Sequence, residues 1–410
     1  MVTAALRRAL AGALPDRPFA IELWDGTRLH ARAGARPGGG QGEGPPPTFI
    51  LRSPRALAHL VRSPSRLGLG RAYVAGEIDS DDLDAAFAVI DSYEPPPLRA
   101  RQRARLAAAL LLGALAAGRP RRPEIELVLR GERHSLARDR AAVRYHYDVG
   151  NDFFALFLDR SMTYSCALFR DGADSLEQAQ EAKLDLVCRK LDLRAGERVL
   201  DVGCGWGSFA IHAAERYGAR VLGITLSPQQ AELARERVAA AGLTELIEIR
   251  LCDYPELRED PFDAIASIGM VEHVGERMID TYARTLAGQL RPGGRLLNHG
   301  IASLNVDYDA ADDPFTNRYV FPDGEPLHLS RIQGALEHAG LTTRHIEGFA
   351  RDYAITLAHW AQRLDERLEQ AVAIAGEQRT RVWRLYLRAA RAGFETGYTA
   401  VYQVLAVKPA

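Results

Sequence analysis

From Arg198 onward, apolar residues come in short unbroken runs separated by longer stretches of helical spacing. The runs predict strands near 198–203, 220–225, 247–252, 263–268 and 294–299, with helices near 208–217, 228–241 and 276–290 between them. Unbroken apolar runs suit strands buried on both faces, and the strand–helix repeat predicts a parallel, doubly wound sheet. Pro292-Gly293-Gly294 reads as a tight turn feeding the fifth strand, and residues 302–329, with little periodicity, as a lid-like insert. A helix near 329–339, a strand near 341–348, helices between Leu357 and Arg391, and a last strand from Tyr398 to Lys408, antiparallel to its neighbour, complete the pattern.

Ahead of this lies a smaller α/β pattern over residues 1–95, with strands at Phe19–Leu23 and Thr48–Arg52 and a helix at Arg55–Val61. Residues 33–47, rich in Gly and Pro, read as a mobile loop. Gly68, Gly70 and Gly76 punctuate the approach to a helix capped by Ser80 or Asp81. No catalytic constellation falls here; a scaffold, a dimer contact and lipid docking stay open. Residues 96–130 form a linker in which an apolar run, Leu106 to Ala117, is flanked by Arg99, Arg101, Arg103 and Arg105 before it and Arg119, Arg121 and Arg122 after it. Two readings fit: a helix in a membrane interface, or a linker helix packed between domains.

Composition narrows the class. The 410 residues carry 52 Lys and Arg against 53 Asp and Glu, so no global charge draws the chain to nucleic acid. Cys166, Cys188, Cys204 and Cys252 have no metal-ligand spacing, and no apolar run is long enough to span a bilayer. With no export signal at the N-terminus, a soluble protein of the reduced cytoplasm is expected.

The candidate chemistry gathers on the first long-sheet strand, RVLDVGCGWGSFA. Asp201 is followed by Gly203, Gly205 and Gly207, and then by a helix, the arrangement that builds a nucleotide crevice at the carboxyl edge of a sheet. The spacing is not the dinucleotide GxGxxG, and the second strand ends at Thr225, not at an acid. Both points argue for S-adenosylmethionine, with Asp201 accepting from its ammonium group, Thr225 and Gln230 meeting hydroxyls, and Asp253 and Tyr254 at the adenine. A plain helix cap is the competing account of Thr225 and Gln230. Glu272 and His273 end the fourth strand and His299 the fifth, a pair of neighbouring strand ends suited to acid–base work. Tyr145, His146, Tyr147 and Asp148, with Gly150 and Asn151, suggest a wall over a pocket, although aromatic stripes also serve as core.

The blocks YHYDVGNDFFALFLDRSMTYSCALF, VLDVGCGWGSFA, GITLSPQQ, SIGMVEHVG, RYVFPDGE and DYAITLAHW occur in the order found in the cyclopropane-fatty-acyl-phospholipid synthases, which include mycolic acid cyclopropane synthases. The chain resembles that family over residues 140–410, and LGLGRAYVAGE resembles the N-terminal domain of its phospholipid-acting members. The resemblance implies a class I methyltransferase Rossmann-like doubly wound sheet with a lid insert and helical additions over 131–410. It implies methyl transfer from S-adenosylmethionine to the cis double bond of an unsaturated phospholipid, then proton loss to a bound bicarbonate ion to close a cyclopropane ring. A peripheral contact with the inner face of the membrane goes with it, and a homodimer is left open.

By position, Tyr164, Ser165, Gly203, Gly205, Thr225 and Gln230 match the family's cofactor contacts, and Cys166, Glu272, His299, Ile301 and Tyr353 its bicarbonate site. That site would accept the anion's O–H at Glu272 and hold its oxygens with His299, the Tyr353 hydroxyl and backbone N–H groups near Cys166 and Ile301. One motif departs: the fifth strand reads LLNHGI where the family commonly reads LLHTI. Either a bulge restores the register or Asn298 takes the place of the histidine. Aromatic faces suit a carbocation, and Tyr145, Tyr147, Phe153, Phe154, Tyr319, Phe321 and Tyr353 are the candidates. A methylene- or methyl-branched product is the alternative outcome. Methylation of a small polar molecule and a lipid-binding protein without chemistry are the rival classes.

Overall fold

The computed structural model describes residues 2–32, 45–127, 138, 145–147, 149–170, 172–306 and 314–410. By contacts the chain divides into two units. The first is Met1–Leu127 with Asp313–Phe315 and Ala375–Ala392, and the second is Val128–Asp312, Thr316–Ile374 and Gly393–Ala410. The expected boundaries would have assigned 313–315 and 375–392 to the methyltransferase domain; their contacts are with the N-terminal unit.

In the first unit, α1 (Val2–Ala13), β1 (Ala20–Glu22), β2 (Arg28–Leu29), β3 (Thr48–Leu51), α2 (Arg55–Arg62), α3 (Arg66–Val74), β4 (Ile78–Ser80), α4 (Leu83–Ser92) and α5 (Ala100–Ala117) follow in order. The strands form a sheet ordered β2-β1-β3-β4, in which only β1 and β3 run parallel. Three details differ from the expectation. Asp82, not Ser80 or Asp81, caps α4 through its carboxylate and the Ala85 N–H, while Asp81 accepts from the Thr48 N–H. Gly68 and Gly70 lie inside α3 instead of punctuating it. The loop at 33–47 falls outside the described residues over 33–44. Helix α5 buries Ala109 and Gly113 and exposes Leu111, Leu112 and Leu115, the last at 77 % of its surface.

The second unit holds α6 (Asn151–Ala155), α7 (Leu176–Lys190), β5 (Arg198–Val202), α8 (Ser208–Tyr217), β6 (Arg220–Thr225), α9 (Pro228–Ala240), β7 (Ile247–Leu251), β8 (Phe262–Ile268), α10 (Gly275–Gln289), β9 (Leu290–Ser303), α11 (Pro314–Tyr319), α12 (Leu329–His338), β10 (Thr342–Gly348), α13 (Ala350–Glu366), α14 (Leu368–Glu395) and β11 (Thr399–Val407). Helices α11 and α14 cross into the first unit, and α14 is broken at Gly376. The seven strands are ordered β10-β11-β9-β8-β5-β6-β7, and β11 alone runs against the other six, antiparallel as its sequence led us to expect.

Alternate residues serve opposite faces of this sheet. Leu200, Ile265 and Leu296 pack with Ile279, Leu286, Ile332 and Leu336 from α10 and α12. Val199, Val221 and Leu297 pack with Leu184, Phe209 and Ala234 from α7, α8 and α9. Burial of each large aliphatic chain stabilises the fold by roughly 1.5–3 kcal/mol, so the two-sided apolar runs hold the strands in order. The Pro292-Gly293-Gly294 turn lies within β9, where pairing jumps from Phe262↔Leu290 to Ala264↔Arg295. Beyond that irregularity the register runs unbroken through Asn298 and His299. The expected insert at 302–329 lies outside the described residues over 307–313 and carries α11 beyond them.

Candidate active site

At the carboxyl ends of β5, β6, β7 and β8 a cleft encloses about 940 Å³ of empty space, counting its mouth. Every proposed cofactor residue except Gly207 lines it: Tyr164, Ser165, Asp201, Gly203, Gly205, Thr225, Gln230, Asp253 and Tyr254. The glycine turn has φ of 78° at Gly203, 53° at Gly205 and 80° at Gly207. Left-handed backbone is what confines the turn to glycine. A Cβ on Gly205 would meet no protein atom within 4 Å, so crowding by the protein is not the reason. Gly207 caps α8 with its left-handed backbone and faces Ala234, away from the cleft lining.

Two buried charges mark one end of the cleft. Asp201, only 2 % exposed, has an Oδ2 atom with no hydrogen-bond partner. Burial raises its pKa from 3.8 to about 7, with Lys183 opposing. Lys183, equally buried, donates from Nζ to Ser165 Oγ at 2.9 Å, and burial lowers its pKa to about 8. An unpartnered carboxylate is expensive unless a cation meets it, and the ammonium group of S-adenosylmethionine fits that requirement. At the end of the neighbouring strand β6, Thr225 donates from Oγ1 to Gln230 Oε1 at 2.8 Å. The cap of α9 is Ser227, which accepts from the Gln230 N–H, so the side chains of Thr225 and Gln230 are not the cap. Tyr147 and Trp206 also line the cleft, and Trp206 donates to Asn151 Oδ1 at 2.7 Å.

The proposed bicarbonate residues stand beside this cleft and are not in its lining. Phe349 connects three of them: its carbonyl accepts from Cys166 Sγ at 3.7 Å and from the Tyr353 N–H at 3.0 Å, and its ring stacks on His299 at 6.1 Å. Burial pushes the Cys166 thiol well up, so it stays protonated. Burial, with Lys183 and Lys190, lowers the His299 pKa to about 3, so the ring is neutral. Adjacent residues of β9 point to opposite faces. Asn298 receives the Tyr282 hydroxyl at 2.9 Å, on the α10 side, and His299 meets Phe349 on the other. The unbroken register thus gives His299, with no bulge, the face shared with Phe349.

Glu272 approaches from a short turn, Val271–His273, after β8. Its Oε2 is closed to solvent without a partner, and burial raises its pKa to about 7, while the N–H groups of Glu272 and Ile301 oppose the rise. The Ile301 N–H, expected to hold an anion, here serves Glu272. Room for the carboxylate depends on Gly300, where a Cβ would lie 2.9 Å from Oε2 and 2.2 Å from Val271 Cγ1. His273 lines the cleft itself, with a pKa lowered by burial to about 4.

Comparison with known proteins decides what the cleft belongs to. The family model described as mycolic acid cyclopropane synthetase matches residues 134–404. The chain belongs to the mycolic acid cyclopropane synthetase family. It is an S-adenosylmethionine-dependent methyltransferase of a lipid-modifying family. It is 39% identical over 397 residues to a probable fatty acid methyltransferase of Pseudomonas putida, covering 96% of this chain and 92% of that one. It is 34% identical over 365 residues to the cyclopropane-fatty-acyl-phospholipid synthase of Escherichia coli K12, covering 88% and 87%. The crystal structure of mycolic acid cyclopropane synthase CmaA1 complexed with SAH and CTAB superposes with a TM-score of 0.62 at 33% identity, covering 66% of this chain and 98% of that one.

Within the family fold, three residues that sequence reading passed over stand at the site. Lys183 and Met270 line the cleft, and Gln403 donates from Nε2 towards His299 Nδ1 at 3.1 Å. Of the aromatic candidates, Phe153, Phe154 and Tyr319 are at most 1 % exposed and belong to the core, and Tyr147 lines the cleft. His146 stacks on Phe321 at 4.0 Å. Residues 139–144, ahead of the aromatic segment, and Asp148 within it lie outside the described residues. Among the described residues no helix is long and apolar enough to cross a membrane.

Proposed function

We propose that the protein methylates the cis double bond of an unsaturated phospholipid acyl chain, with proton loss to a bound bicarbonate closing a cyclopropane ring. The observation that carries this reading is the pairing of two sets of unsatisfied buried groups: Asp201 in the cleft, and Glu272 and His299 next to it. S-adenosylmethionine, when bound, supplies an electrophilic methyl group. Asp201 holds its ammonium group, Ser165 and the glycine turn meet its methionine end, Thr225 and Gln230 the ribose, and Asp253 and Tyr254 the adenine. An alkene is a weak nucleophile, so the protein's work is to align it and exclude water. Tyr147, with Tyr353 beside the sealed cluster, offers an aromatic face that stabilises a cation without being alkylated.

Bicarbonate, when bound, supplies a base that can leave after use. Glu272 accepts its O–H and His299, neutral, donates to its oxygens. Cys166, kept as the thiol, is protected from methylation. Peripheral docking is assigned to α5, whose face combines Arg101 and Arg105 with exposed Leu111, Leu112 and Leu115; residues 98–123 contain no acid. A branched product is the second reading, favoured by the fatty acid methyltransferase name of the 39% identical relative. Mass spectrometry of lipids from cells expressing the protein tests both. A mass gain of one methylene with ring fragments supports the proposal, branch fragments support the second reading, and unaltered acyl chains defeat both.

A further inference from the structure

Three strands bring one row of side chains into register on the sheet. Glu347 of β10 stands opposite Gln403 of β11, and Gln403 stands opposite His299 of β9. Lys190, from the last turn of α7, closes the row: its Nζ donates to Glu347 Oε2 at 2.6 Å and to Gln403 Oε1 at 2.6 Å. An ammonium group can only donate, so it fixes which end of the Gln403 amide faces it. The oxygen turns to Lys190, and the NH2 group is left 3.1 Å from His299 Nδ1. The reverse orientation would set two donors against each other in a region where Gln403 is 1 % exposed.

We infer that Lys190 and Gln403 are positioning residues that hold His299 in one tautomer, with Nδ1 as acceptor and the proton on Nε2. The Nε2 atom is on the far side of the ring from Gln403, is shut from solvent, and has no partner in the protein. His299 is therefore a preset hydrogen-bond donor and not a base. Phe349 stacks on the ring and limits its rotation. Burial, with Lys183 and Lys190 bearing on it, keeps the ring from taking a second proton. The use of this donor rests on the proposed anion site; the tautomer itself does not.

The test is nitrogen NMR on the full-length protein with labelled histidine, His299 being assigned by its loss in His299→Gln. The expected wild-type spectrum has a pyridine-type Nδ1 and a pyrrole-type Nε2, unchanged from pH 5 to 8. Gln403→Glu replaces the donor by an acceptor, so Nδ1 should gain a proton. Lys190→Met should give mixed tautomers, and Lys190→Arg should restore the wild-type pattern. Turnover in Gln403→Glu and Lys190→Met should fall by about 10- to 100-fold, by analogy with the outer partners of metal-ligating histidines, with S-adenosylmethionine affinity retained. A protonated Nδ1 in the wild type, or unmoved nitrogen shifts in both folded variants, overturns the inference. The expected tautomer together with a fully active His299→Gln would uphold the relay and defeat the anion-site reading instead.

Discussion

Replacing Asp201 by Asn separates two effects that the carboxylate combines. In the unfolded chain the group ionises near 3.8, and in the folded protein near about 7. Between those values the folded state keeps a proton that the unfolded chain has released, so stability falls as pH rises through the window and levels off above it. At about 1.4 kcal/mol per tenfold, ionised Asp201 costs on the order of 4 kcal/mol at pH 8. Asn keeps the shape and removes the charge, but leaves an amide with imperfect partners at a cost of about 1–3 kcal/mol. The cofactor-free variant should therefore unfold at higher urea than the wild type at pH 8, and at the same or lower urea at pH 5.

Cofactor binding should move the other way. Losing the charged partner of the ammonium should weaken S-adenosylmethionine by about 1.5–3 kcal/mol, roughly 10- to 100-fold. Because binding requires the ionised carboxylate, wild-type affinity should climb close to tenfold between pH 5 and 6, and Asp201→Asn should lack that slope. Calorimetry and urea titration at both pH values measure all of this. A variant destabilised at pH 8, with cofactor affinity within twofold of wild type, would refute the reasoning.

Glu272→Gln should reduce turnover by about 10²–10³-fold while leaving cofactor affinity unchanged, and wild-type activity should drop in carbonate-depleted buffer and return with bicarbonate; full activity in either case places the base elsewhere. Gly300→Ala drives a methyl group into Val271 and Glu272, so the midpoint of thermal unfolding should fall with a loss of about 1–3 kcal/mol and turnover should fall with it; a stable, active variant contradicts the close packing described. Replacing Arg99, Arg101, Arg103 and Arg105 by Gln, or Leu111, Leu112 and Leu115 by Ser, should release the protein from anionic vesicles in sedimentation, as should added salt; unaltered binding in both variants removes α5 from the membrane contact.

The sheet was legible because its strands are buried on both faces, so Val199 to Val202 and Phe262 to Ile268 read as apolar runs whatever their neighbours. The glycine turn was legible for a different reason: left-handed backbone at three alternate positions leaves few residues to choose from. Lys183 was not, because a lysine in an amphipathic helix has the signature of a solvent face; the Ser165 hydroxyl and the nearby carboxylates that keep it inside come from elsewhere in the chain. The row Glu347–Gln403–His299 joins residues far apart in sequence, and only strand order makes them neighbours. The helices expected between Leu357 and Arg391 carried no information about what covers Val382, Trp383 and Leu387.

The break of α14 at Gly376 has a consequence for synthesis. The N-terminal unit takes its final segment from residues 375–392: Arg381 donates to the carbonyls of Tyr73 and Ile78, and Arg388 pairs with Asp84 at 2.7 Å. A ribosome delivers this segment only after residues 128–374 have followed Leu127, an interval on the order of tens of seconds at ordinary elongation rates. Throughout it, the backbone carbonyls of α3 and β4 and the apolar surface that receives Trp383 have no permanent cover. The unit that holds β1 to β4 is thus completed only after residues 128–374 have been synthesised, and its completion is timed by the arrival of residues 375–392.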